Sequence, residues 1–162
     1  MWRTTGKRSR ECSGAARPDT PYRYLENIAI ADVAFEAWGA TPEETFVSAG
    51  DATMNVMVDA LETIAPLEVR RIALSSGALD LLLFELLQEL IYYKDAEQLL
   101  LRLHSLRIED MGGSYRLLAE ARGEKIDRDR HPLNVDVKAV TLHRFAVERT
   151  ATGWRASVIL DI

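Results

Sequence analysis

The chain has 162 residues, enough for one domain with a sizeable core, and its 48% apolar and 28% charged shares are those of an ordinary globular protein. Its net charge of −5 is uneven: residues 1–20 hold five basic and two acidic residues, a local +3, which leaves −8 for the rest. An acidic body argues against a domain that grips RNA or DNA unaided, since phosphate contacts dominate that affinity; it fits a protein that meets a basic partner or holds a cation.

Residues 1–20, "MWRTTGKRSRECSGAARPDT", are polar and without period, and are predicted to be a disordered basic tail ahead of a domain over residues 21–162. The stretch lacks the apolar segment of a secretory signal. Its Cys12 is the single cysteine, so there is no partner for an intrachain disulfide and no cysteine cluster for zinc, which fits a reducing, cytoplasmic setting.

The domain opens at "PYRYLENIAIADVAFEAWG", rich in β-branched and aromatic residues. From Asp32 to Trp38 it alternates, with Val33, Phe35 and Ala37 on one side and Asp32, Ala34, Glu36 and Trp38 on the other. In "TPEETFVSAGDATMNVMVDALET", Thr41, Pro42 and Glu44 form a helix-start signal: an N-cap, a proline at the first helical position and a capping-box acid. Gly50 and Asp51 weaken the middle of that helix. "LEVRRIALSS" is a strand, and Ser75 and Ser76 are read as marking the next helix N-terminus. "GALDLLLFELLQELIYYKDAE" is a helix apolar on most of its surface, interrupted by Asp80, Glu85, Gln88 and Glu89, hence a core helix rather than a membrane span. "QLLLRLHSLRIED" and "SYRLLAEARGE" flank "MGG" as a hairpin, "KIDRDRHPLN" is a polar connection, and "DVKAVTLHRFAVERT" and "WRASVILDI" form a last hairpin around "ATG". The order β, β, α, β, α, β, β, β, β with short turns predicts a single α+β domain, mostly antiparallel, with two main helices.

No nucleotide-binding glycine loop, serine elbow or histidine zinc motif is present. His104 and His143 fall on strands and read as satisfied structural histidines; His131, beside Pro132 in the polar connection, reads as exposed. In the last strand Trp154, Ala156, Val158, Leu160 and Ile162 share one face, and Arg155, Ser157, Ile159 and Asp161 the other. Asp161 therefore stands beside the α-carboxylate of Ile162, and two adjacent carboxylates are relieved by a hard cation such as Ca²⁺ or Mg²⁺. A third acid must come from elsewhere in the fold, and Asp32, just after "IAIA", is a candidate; the competing reading is a solvated acid near a frayed end. Lys138, in the apolar run "DVKAVTLH", reads either as an edge-strand gatekeeper or as a cation aimed at a phosphate or a partner's acid.

Together, "YRYLE", "ADVAFEAWG", "PEETF", "HPLNVDVKAVTLH" and "GWRASVILDI" resemble archease, the small protein cofactor of the RtcB-type RNA-splicing ligase. The resemblance runs from about Tyr22 to Ile162. It implies an α+β fold and a protein that is not itself an enzyme. Such a protein promotes guanylylation of the ligase in tRNA splicing and restores it for multiple turnover, with RNA contacted through the ligase. It also implies a divalent metal, calcium as the bound ion with magnesium or manganese as alternatives, held by Asp32, Asp161 and the terminal group of Ile162, and a functional lysine at Lys138. The chain departs from the family in reading "LENIAIAD" where "LEHTAD" is common, which is two residues longer and puts Asn27 near the expected histidine. A chaperone-like adaptor of an RNA-processing enzyme is the alternative, and a metal-dependent hydrolase ranks last because no general base accompanies the acids.

Overall fold

The computed structural model describes residues 20–26 and 31–162; all but the last residue of the predicted tail over residues 1–20, and Asn27 in the lengthened first motif, lie outside them. The described chain runs β1 (Tyr22–Leu25), β2 (Asp32–Gly39), α1 (Pro42–Met57), a 3₁₀ turn (Leu61–Thr63), β3 (Glu68–Ser76), α2 (Leu79–Glu97), β4 (Leu99–Asp110), β5 (Tyr115–Lys125), β6 (Ala139–Arg149) and β7 (Trp154–Asp161). This is the α+β order expected. The antiparallel strands divide into two sheets, β1-β2-β7-β6 and β3-β5-β4, and both helices pack against both of them. Three layers result, helices in the middle, with the core between.

The first helix starts where the capping signal places it. The Thr41 hydroxyl accepts from the Glu44 N–H at 3.2 Å, and the Glu44 carboxylate accepts from the Ala40 N–H at 2.8 Å, one residue before the usual target. The two breakers are absorbed by tertiary contacts. A Cβ on Gly50 would stand 2.9 Å from Leu103 Cδ1 of β4, so the missing side chain admits that leucine. Asp51 receives a two-pronged bond from Arg102 of β4, both contacts at 3.0 Å. The helix stops at Met57 rather than near residue 63: Val58 is extended and bridges to Leu133, and the Met57 carbonyl accepts from the Asn134 N–H at 2.8 Å.

Helix α2 buries Leu82, Leu83, Leu86, Leu87, Leu90 and Ile91 against the two sheets. Its start corrects one expectation: Ser75 and Ser76 belong to β3, and the N-cap is Ala78, with no side-chain cap. The "MGG" hairpin forms as predicted, with Gly112 at φ +83, a left-handed position that glycine takes without strain. Among the described residues no helix is long and apolar enough to cross a membrane.

Strand β6 is an edge of the four-stranded sheet and is irregular. Ala139, Val140 and Thr141 pair with Asp161, Leu160 and Ile159; pairing resumes only at Ala146 with Ser157. Four residues, Leu142 to Phe145, thus stand against one on β7, and Arg144 takes a left-handed φ of 53. Phe145 is tied down edge-on to Phe84 of α2, with ring centroids 5.7 Å apart.

Candidate functional site

Alternation along β2 and β7 decides which side chains meet. Phe35 and Ala37 of β2, and Ala156, Val158 and Leu160 of β7, face the helices and are buried. Asp32 and Asp161 fall on the opposite face, and the register places them directly across from each other at the end of the sheet. The Ile162 N–H donates to the Ala31 carbonyl at 3.0 Å, which makes that position the hydrogen-bonded pair and Asp32/Asp161 the non-hydrogen-bonded one. Non-hydrogen-bonded pairs bring their Cα atoms to about 4.5 Å, the closer of the two spacings. Both acids are half-buried, and neither carboxylate accepts a hydrogen bond from a described residue. The Ile162 side chain packs against the core, which fixes the last residue beside Asp161.

Lys138 arrives from the third strand. Ala139 of β6 pairs with Asp161, and the Lys138 N–H donates to the Asp161 carbonyl at 2.8 Å. Lys138 thus sits one residue outside the edge strand, with an exposed side chain that makes no ion pair with a described residue. The fold brings Lys138 to the acids through its backbone; its ammonium contacts neither carboxylate. Next to Asp32 a cleft of about 220 Å³ is lined by Tyr24, Leu25, Val33, Val56 and Asn134.

The segment that delivers Lys138 is held from below by Lys94, a residue that sequence reasoning missed. Its side chain is only 1% exposed. The ammonium donates to the Val137 carbonyl at 2.8 Å, pairs with the Asp136 carboxylate, and lies 2.6 Å from an Asp95 oxygen. A signal was available: Leu83, Leu87, Leu90 and Lys94 recur at helical spacing, so Lys94 continues the buried stripe.

A match to the Archease protein family covers residues 22–162. Curated archeases align over most of both chains: that of Methanosarcina barkeri is 37% identical over 142 residues, spanning 87% of this chain and 95% of its own, and that of Methanopyrus kandleri is 32% identical over 142 residues, spanning 88% and 99%. Among solved structures, protein 1598 of Methanobacterium thermoautotrophicum superposes with a TM-score of 0.77 at 30% identity, covering 88% of this chain and 99% of that one. The chain belongs to the archease family. The crystal structure of "an archease, possible chaperone" from Thermotoga maritima shares the fold, with a TM-score of 0.56 at 18% identity, covering 86% and 98%.

In this archease the donors at the acid pair suit a hard divalent ion. They are oxygens only, they stand on opposed residues of β2 and β7, and no described residue donates a hydrogen bond to either carboxylate. Among the described residues no three His, Cys, Asp or Glu side chains group to hold a metal ion; the Ile162 terminal group lies one residue beyond Asp161.

His104 and His143 lie on strands as expected, on β4 and β6, whereas His131 departs from its expectation. His104 and His143 are exposed, each beside an irregularity of its strand. His131, expected to be exposed, is 2% exposed. Its Nδ1 accepts from the Asp127 N–H at 2.9 Å, so Nε2 carries the proton and donates to Glu124 at 2.6 Å. Glu124, also buried, accepts further from the Ala65 N–H at 3.1 Å and pairs with Arg130. Burial pushes the Glu124 carboxyl up, but Arg130, Ala65 and His131 outweigh it and hold the group at about 2. This cluster closes the connection between β5 and β6 onto the core.

Proposed function

We propose that this protein activates an RtcB-type RNA-splicing ligase, promoting its guanylylation and repeated turnover, and is not itself an enzyme. Asp32, Asp161 and the terminal carboxylate of Ile162 would hold a divalent ion, calcium as the bound species. Such an ion would neutralise the acids and present positive charge to phosphate groups. Lys138 would contact the ligase, its nucleotide or a phosphate. The observation that carries this reading is the register that sets Asp32 opposite Asp161, with Lys138 bound to the same residue's carbonyl. Family membership supports it, and so does the acidic body, which leaves RNA binding to the ligase.

The test is a time course of ligase guanylylation with substoichiometric protein. Acceleration that disappears in Asp161→Ala is expected, and no acceleration by the wild type sinks the reading. Should the protein instead suppress aggregation of unrelated clients equally well with and without its acids, a chaperone-like adaptor is the better description.

A further inference from the structure

We propose that Lys94 is a positioning residue for Lys138, an inference that rests on the functional reading given to Lys138. A lysine in a fully buried site is costly, because its charge must be desolvated. Lys94 continues the leucine stripe of α2, where Met or Leu would fit the pattern. What the ammonium does that a methionine cannot is grip the chain just ahead of Lys138. It donates to the Val137 carbonyl and pairs with Asp136, while the next N–H, that of Lys138, bonds the Asp161 carbonyl.

The grip lies where the strand has least support of its own. Lys138 precedes the regular pairing of β6, which lasts three residues before the irregular stretch from Leu142 to Phe145. On one side of Lys94 the Val140 N–H donates to Gln88 of α2 at 3.2 Å, and on the other the Asn134 N–H donates to Met57 of α1. Helix-borne groups thus clamp residues 134–140 at three points, and Lys94 is the middle one and the only one of the three that carries charge. Its place in the last turn of α2 also suits a cation, since the helix carbonyls there carry partial negative charge. The pair is asymmetric: the Lys94 side chain is 1% exposed and that of Asp136 32%, so removing the lysine leaves an acid that water can reach. A purely structural ion pair gives no reason for a charge on the inner side; a clamp on the Lys138 segment does.

The experiment uses Lys94→Met in the full chain, with amide hydrogen exchange, thermal unfolding and activation of the ligase. The expected result is a melting temperature close to wild type, exchange at Lys138 faster on the order of tenfold or more while amides within α2 and β5 are unchanged, and activation reduced toward that of Lys138→Ala. Two results overturn the proposal: unchanged exchange at Lys138, or faster exchange throughout the domain with a lowered melting temperature. If Lys94→Met does not fold, Asp136→Asn weakens the same clamp from its solvent side, and a smaller rise confined to residues 136–138 is expected; no local rise again overturns the proposal. If wild-type protein gives no activation at all, the functional reading fails by itself, and exchange at Lys138 still decides whether Lys94 fixes that segment.

Discussion

Two acidic clusters in this protein have opposite electrostatics. Glu124 is a single carboxylate with three donors around it: Arg130, His131 and the Ala65 N–H. Asp32 and Asp161 are two carboxylates with no described donor on either, facing each other across a closely spaced strand pair. The first satisfies itself and ties a polar connection to the core. The second, at the sheet's end, has no balancing partner among the described residues and stands next to an exposed lysine. The proposed function assigns an outside cation to the second cluster and none to the first, and this difference can be attacked from both sides.

The largest effect is expected at the open pair. A ligand that binds only the folded state stabilises it by about 2.7 kcal/mol at a hundredfold excess over its dissociation constant. Calcium should therefore raise the unfolding temperature of the wild type, chelator should reverse the rise, and Asp161→Ala should abolish it along with ligase activation. An equal rise in Asp161→Ala would mean that the ion binds elsewhere. Extending the chain past Ile162 turns its carboxylate into an amide, and should weaken calcium stabilisation where the same extension on the N-terminus does not; equal effects would remove Ile162 from the ligand set.

At the closed cluster the expectation is the reverse. Glu124→Gln keeps the shape but loses the charge that Arg130 and His131 bind, and hydrogen bonds to a charged group contribute about 1.5–3 kcal/mol. Denaturant unfolding should show a loss of that order, the same with calcium or chelator. A calcium-dependent loss would tie the two clusters together and break the contrast.

The same cluster has an acid signature. Its folded-state carboxyl is depressed from the ordinary 4.5 to about 2, so its contribution is present in full above the upper value and is lost as pH falls toward the lower one. The stability gap between wild type and Glu124→Gln should therefore be constant from neutrality to about pH 5 and close between there and pH 2. A gap that persists at the acid end would show that packing, not charge, holds Glu124.

What was legible in the sequence divides along the same lines. Local signals carried the fold: the Thr41–Glu44 cap, the alternation of β2 and β7 and the glycine hairpin all formed, and the two helices fell in their places. Alternation also put Asp32 and Asp161 on the face turned from the core, and the run "IAIA" made Asp32 a candidate partner for Asp161, which the family resemblance then named; their exact register was not legible, because pairing between strands some 130 positions apart leaves no local trace. The misreadings are non-local as well. His131 looked exposed because its neighbours Arg128, Asp129 and Arg130 are polar, whereas its burial depends on Glu124 of β5. Lys94 drew no reading at all, since its partners Asp136 and Val137 lie more than forty residues on. The α1 end was overrun because Val58 answers to Leu133 rather than to its own helical period.

The smallest effect has the most informative sign. Like charges directly opposite each other in a sheet oppose folding, and cross-strand pairs of this kind are worth about 0.2–1 kcal/mol. In chelator, Asp161→Asn removes one of the two charges without changing side-chain volume, so the variant should be more stable than wild type by about that amount. With calcium the order should invert, because the wild type alone then gains from binding. A binding site held open at a cost to the empty fold predicts this crossing of two stability curves, whereas a merely solvated pair of acids predicts no dependence on the ion. At Glu124, where the acid is already balanced, neutralisation should destabilise in both conditions and the curves should never cross.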